Sequence, residues 1–156
     1  MTKARDIANV LVTINNIDLA PQGCSNTEST GNISIGHNAN SSAVFVDTIA
    51  THNGNRILVT GTSTMNFRVD QDSDGTFYHQ IKVGTSNWTN VTEESATAGD
   101  GGDAVVSNRT KSFSKSFSIS SGSNINIQFR VKTDSKSKVS AQNNSIALSA
   151  VSYQED

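Results

Sequence analysis

The chain has 156 residues with 12 basic and 14 acidic side chains, a formal charge of −2, enough for one domain core and too few for two. Ser, Thr and Asn number 23, 16 and 17, Pro occurs once, and charged residues make up only 17% of the chain. A coiled coil, a proline-rich stalk and a disordered acidic tail are thereby excluded, whereas short strands joined by turns suit this balance of hydroxyl and amide residues.

The start, MTKARDIANV, has no apolar signal-peptide core, and no run reaches the roughly 18 apolar residues of a membrane span. The expectation is a soluble chain made in a cytoplasm, with no membrane insertion. The lone Cys24 leaves no internal disulfide framework. Residues 3–9, KARDIAN, read as one or two helical turns, so residues 1–10 are assigned to a helical attachment segment and 11–156 to a single β-sandwich domain. The next stretch, VLVTINNIDLA, fits a strand or a continued helix.

From there the period is two. GNISIG (31–36) puts Ile33 and Ile35 on one face, and the apolar run SAVFVDTIAT (42–51) predicts a strand buried on both sides. RILVTGTSTMNFRV (56–69) gathers Ile57, Val59, Met65, Phe67 and Val69 on one side, with Gly61 marking a bulge or a bend between sheets. TFYHQIKV (76–83) turns Phe77, His79, Ile81 and Val83 one way and Tyr78, Gln80 and Lys82 the other. In KSFSKSFSIS (111–120), Phe113, Phe117 and Ile119 share a face with Lys111 and Lys115 while the opposite face is all Ser; an edge strand blunted by lysine is the favoured reading, and Lys115 snorkelling to a subunit boundary is the alternative. NINIQFRVK (124–132) alternates without a break, and NSIALSAVSY (144–153) closes the series. SNTESTGN (25–32) and the Gly-rich NWTNVTEESATAGDGGD (87–103) lack strong periodicity and read as loops, the longer one a place for binding. About eight strands, spaced without any crossover helix, predict an all-β antiparallel sandwich of jelly-roll type.

Asp70-Gln71-Asp72-Ser73-Asp74-Gly75 has the D-x-D-x-D-G spacing of a calcium loop. The twelfth loop position, which supplies a bidentate Glu in an EF-hand, is Ile81, and both flanks alternate as strands, so an EF-hand is excluded. The favoured reading is a strand-turn-strand hairpin with its left-handed corner at Asp74-Gly75; Ca2+ held by Asp70, Asp72 and Asp74 is the minority alternative.

Other chemistry is sparse. His37, His52 and His79 lie in separate segments without a ligand-spaced partner, so no metal site is assigned, and His79 reads as a hydrogen-bonded core histidine. There is no G-x-S-x-G elbow and no phosphate loop, and the adjacent Glu93 and Glu94 diverge instead of facing each other across a cleft. No catalytic residue and no cofactor is assigned. Tyr78 and Trp88, the only tryptophan, are candidate sugar-stacking residues, which gives the alternative function of a carbohydrate-binding module built on the 87–103 loop; Trp88 suits a core cap equally well. Residues 1–103 hold 5 basic and 11 acidic groups, and residues 104–140 hold 7 basic groups and one acid. Such asymmetry steers a polyanion or pairs subunits head to flank, although solvated strand faces account for it more simply. Arg109, Lys111, Lys115, Arg130 and Lys132 lack interleaved aromatics, so no nucleic-acid partner is assigned.

One comparison reaches further. Lys3-Ala4-Arg5-Asp6-Ile7-Ala8-Asn9 resembles a K-A-R-D-[IL]-A-[ND] segment that recurs in structural proteins of tailed bacteriophages, especially marine and cyanobacterial ones. "NRILVTG" (55–61), "IKVGT" (81–85), "IQFRVKT" (127–133) and "NSIALSAVSYQED" (144–156) are similar in pattern to jelly-roll domains of phage tail fibres and spikes, and together cover about half the chain. The resemblance implies a non-enzymatic virion protein, homotrimeric, bound to other virion proteins as a tail fibre, spike or capsid decoration, with a host surface glycan as a further partner. Fibres carry a long shaft ahead of such a head, and here the domain begins close to Met1, which favours a short decoration or adaptor protein.

Overall fold

The computed structural model describes residues 23–50, 54–120 and 124–155. The helical turns expected over 1–10, the VLVTINNIDLA stretch and His52 lie outside the described residues. Eight strands carry the described fold: β1 (Gly23–Ile35), β2 (Val44–Ile49), β3 (Arg56–Val69), β4 (Asp74–Val83), β5 (Thr89–Thr97), β6 (Ala104–Ser118), β7 (Ile125–Thr133) and β8 (Ser137–Tyr153). They form two four-stranded antiparallel sheets, a first of order β1-β8-β3-β6 and a second of order β2-β7-β4-β5. Pairing is nested: β1 with β8, β2 with β7, β3 with β6 and β4 with β5. The chain is thus one long antiparallel hairpin, rolled so that β3 also meets β8 and β4 also meets β7. That is the jelly roll expected from the alternation.

Alternation explains the core. The inward positions of β3, β4 and β7 are chiefly Ile, Val, Phe and Met, with Ser63, His79 and Thr133 buried among them, and Ile57, Val59, Phe67, Phe77, Ile81, Ile127, Phe129 and Val131 are fully buried. Phe67 of the first sheet stacks on Phe77 of the second, ring centroids 5.0 Å apart and 10° from parallel. Each such ring contributes about 1.5–3 kcal/mol of burial to holding the sheets together. The open sides are closed by polar contacts instead. On one side the Asn26 carboxamide of β1 donates to the Val46 carbonyl of β2 at 2.7 Å. On the other, Glu94 of β5 takes Lys111 of β6 at 2.5 Å and Arg109 at 3.5 Å. Lys111 therefore sits on an edge strand, as its mixture with phenylalanines indicates.

Several expectations change. SNTESTGN belongs to β1, and most of 87–103 is strand β5, leaving only residues 98–103 as the connection to β6. SAVFVDTIAT contains an edge strand with Phe45 54% exposed, so it is not buried on both sides. The Asp70–Gly75 stretch is not a hairpin: β3 and β4 lie in different sheets, and this turn carries the chain across the sandwich. Its left-handed residue is Asp72, at φ 56°, and not Gly75. Gly75 lies within β4 because a Cβ there would stand 2.5 Å from Ser137 Oγ and 2.8 Å from Val69 Cγ2. Gly61 marks no bulge: the β3 register runs through it unbroken, and a Cβ would stand 2.2 Å from the Ala147 carbonyl oxygen.

Candidate functional site

Three places gather polar chemistry: the loops at one end of the roll, the outer face of the second sheet and a buried cluster between the sheets. At the loop end, Asp70, Asp72 and Asp74 are close in sequence but differently used. Asp70 Oδ2 is 2.7 Å from His37 Nε2, and its other oxygen pairs with Lys138. The Lys138 hydrogen bond, with His37 adding attraction, holds the Asp70 carboxyl below its ordinary range. Asp72 and Asp74 are exposed, and among the described residues no group of three or more His, Cys, Asp or Glu side chains comes together as metal ligands would. Nearby, Asp103 pairs with Arg68 at 3.1 Å and accepts the Gln71 N–H at 3.0 Å. Asp134 Oδ2 accepts the Thr76 N–H at 2.6 Å and its Oδ1 the N–H groups of Lys136 and Ser137 at 2.9 and 2.8 Å, shaping the β7–β8 turn. Burial pushes its carboxyl up, and these donors outweigh that and hold it below the ordinary value.

The outer face of the second sheet brings Tyr78 and Trp88 together with β7. Alternation sends Tyr78, Gln80 and Lys82 outward, and pairing sets them against Lys132, Arg130 and Gln128. The Arg130 guanidinium lies 4.2 Å from the Trp88 ring centroid, and Lys132 Nζ lies 5.7 Å from that of Tyr78. Arg130 Nε also donates to Gln80 Oε1 at 2.9 Å, and Gln80 Nε2 donates to Asn90 Oδ1 at 2.7 Å. Phe45, opposite Gln128, extends the same surface. The result is a face of three aromatic rings, three cations and a ladder of amides. Tyr78 could be placed there from its strand; the cations over the rings belong to β7, some 50 residues further on, and needed the pairing.

The first sheet's outer face is the opposite in character. Across four rows of four paired strands it presents Ser25, Thr27 and Ser29 from β1, Ser145 and Ser149 from β8, Thr60, Thr62 and Thr64 from β3, and Thr110, Ser112, Ser114 and Ser116 from β6. Gly23, Leu58, Ala147 and Val151 complete the grid, so its 16 positions hold no charged side chain. Sequence reasoning saw the serine face of residues 111–120 but not that β1, β8 and β3 extend it into a grid, although the period-two hydroxyls at 60–64 signal it.

Between the sheets, His79 is fully buried, with its ring edge-on to Phe77 and Phe129 at 5.4 and 5.0 Å. Its partner is Asn144, also fully buried, at 3.1 Å from Nε2 to Oδ1. The Asn144 Oδ1 accepts the Asn66 N–H at 2.7 Å while its Nδ2 donates to the Asn66 carbonyl at 3.0 Å. That orientation makes Oδ1 an acceptor, so His79 donates through Nε2 and its Nδ1 is a bare acceptor with no hydrogen-bond partner. Burial lowers the His79 pKa to about 4 against the opposing effect of the Asn144 bond. The core histidine expected from the alternation is there.

Over the described residues the nested pairing forms an eight-strand jelly roll. No protein-family model matches the chain, and no curated protein matches it by sequence. Among solved structures it is similar to that of the Gx strain of infectious bursal disease virus, at 12% identity and a TM-score of 0.38, over 85% of this chain and 36% of that one. It is similar also to the VP2 subviral particle of infectious bursal disease virus, at 12% identity and a TM-score of 0.38, over 85% of this chain and 37% of that one. The chain spans little more than a third of the length of these structures.

Proposed function

We propose that this chain is a structural subunit of a tailed-phage particle, working by attachment and not by turnover, as a fibre, spike or decoration protein that self-associates as a trimer. The observation that carries this reading is how the side chains are spent. Glu94, Lys111 and Arg109 clip the two edges together, Asp134 shapes a turn, and His79 and Asn144 mend a gap inside the core. The broad outer faces are left as finished surfaces, one of hydroxyls and one of rings and cations. The resemblance of residues 3–9 and of the later strand motifs to phage structural proteins supplies the particle. Mass spectrometry of purified phage particles should find the chain in fixed stoichiometry. Its absence from particles, or sustained release of product from a polysaccharide by the pure chain, defeats the reading.

A second reading is glycan binding by Tyr78 and Trp88, supported by their both standing beside cations of β7, Trp88 by Arg130 and Tyr78 by Lys132. The 87–103 segment contributes to it chiefly as strand β5 and not as a mobile loop. Glycan-array binding that survives unchanged in Trp88→Ala would remove these residues from that role.

A further inference from the structure

We propose that the outer face of the second sheet is a docking surface for a second copy of this chain, which presents to it the acidic loop end of its sandwich. The proposal deepens the assembly reading, on which it rests, by naming one contact and one partner.

Both halves of the contact are on this molecule. The receiving half holds Lys82, Arg130 and Lys132 in adjacent rows of β4 and β7, with Glu93, paired to Tyr78, as the acid at their margin. Phe45, Tyr78 and Trp88 lie among these cations, and aromatic rings with arginine are what the dry centres of protein interfaces concentrate. Phe45 is 54% exposed beside them. The presenting half is the end carrying the β3–β4 and β5–β6 turns. Asp70 and Asp103 there already pair with Lys138 and Arg68, and His37 Nε2 lies 2.7 Å from Asp70. Asp72, Asp74 and Asp100 are exposed and make no salt bridge among the described residues, against Lys136 as the cation at the same end likewise without one. Opposite charge therefore sits on two regions of one chain, the cations at the middle of the second sheet's outer face and the loop-end carboxylates, of which Asp74 ends the same outward column of β4 as Tyr78 and Lys82, an arrangement that steers encounter and fixes register between copies. The hydroxyl face of the first sheet, with no charged position in its grid, does not compete for either patch. A contact between unlike patches is heterologous, so copies joined this way close into a ring or continue as a filament; closure after three gives the trimer.

Sedimentation equilibrium of the full chain tests this at roughly 20 mM and roughly 500 mM salt, either side of strong screening. Self-association at low salt, weakened at least about tenfold at high salt, is expected. A variant with Asp72→Asn, Asp74→Lys and Asp100→Lys should stay monomeric, as should one with Lys82→Glu and Lys132→Glu; asparagine is used at 72 because its backbone is left-handed. Mixing the two variants sets a native acidic end against a native basic face and a reversed end against a reversed face, so the mixture should regain salt-sensitive association, as should both sets of changes in one chain. Matching circular-dichroism melts establish that the variants fold. A parent chain that is monomeric at low salt, or variants that associate as the parent does, overturns the docking. Particle composition is decided separately, so that failure leaves the virion reading standing.

Discussion

Asn144 stands where the β3–β8 ladder is interrupted, between the Thr64–Ser145 and Arg68–Lys138 pairs, and its carboxamide replaces the missing backbone partner of Asn66. Replacing it by leucine adds bulk and removes every one of those bonds, leaving the buried His79 Nε2 and the half-buried Asn66 N–H and carbonyl unpaired. A loss of about 3 kcal/mol in denaturant unfolding is expected, since each orphaned group costs on the order of 1–3 kcal/mol. His79 gives a second outcome, read in pH. Its ordinary pKa of 6.5 falls to about 4 in the folded chain, so between these values the unfolded chain binds a proton that the folded chain refuses. Stability therefore rises with pH across this window and drops as pH falls through it, by roughly 3 kcal/mol in full. Asp70 and Asp134, both held below the ordinary carboxylate value, stabilise above that range and withdraw their support as pH falls further, so they act in the same direction but lower. Melting temperature followed between pH 7 and pH 4 should decline in the parent and much less in His79→Phe; equal slopes would show that His79 is protonated at no cost.

At the scale of the strand, glycines separate tight approach from open space. Gly61 sits in β3, paired on both sides, where an added Cβ meets the Ala147 carbonyl oxygen at 2.2 Å and Leu148 Cα at 2.9 Å. Both are backbone atoms of a held strand, so Gly61→Ala should cost about 1–3 kcal/mol or more. Gly36, in the β1–β2 connection, meets nothing within 4 Å, so Gly36→Ala should be neutral or slightly stabilising. Urea midpoints of the two variants check the contrast, and equal midpoints would mean that β3 can give way at Gly61. The strands themselves were unequally legible. β3, β4 and β7 are flanked on both sides within their sheets and turn mainly apolar sets inward, interrupted at Gly61, Ser63, His79 and Thr133, so alternation displays them. β1 and β5 are edges whose inward positions carry Cys24, Asn26 and Glu28 or Thr92, Glu94 and Ala96: Asn26 and Glu94 reach the facing edge strand, while the small or polar Cys24, Thr92 and Ala96 line the margin of the core. Their pattern of polar and small residues looks like loop. β2 misleads the other way: an apolar run at an edge is taken for a buried strand although Phe45 points outward. The interaction face follows the same rule. Tyr78 was readable within its own strand, whereas Arg130 over Trp88 depends on β4 meeting β7 across the fold.

For the whole molecule, nesting decides the order in which contacts can form. Only β4 and β5 are consecutive strands of one sheet, joined by a turn in which Gly84 adopts φ 55° and Ser86 N–H bonds the Val83 carbonyl at 3.0 Å. Every other pairing closes a longer loop around that hairpin, ending with β1 against β8, where Gly23 meets Val151. Closure entropy must be met before such distant pairs repay it, so folding on the millisecond-to-second scale is expected. The nucleus should hold β4 and β5, with β1 and β8 joining late. Two substitutions at buried sites discriminate: Val91→Ala in β5 and Leu148→Ala in β8, at 8% and 3% exposure. Stopped-flow refolding should slow for Val91→Ala, whose contacts form early, while Leu148→Ala should leave refolding nearly unchanged and speed unfolding instead. The reverse pattern would place the nucleus at the outer turn of the roll, and the long pairing of β1 with β8 would then lead the folding and not seal it.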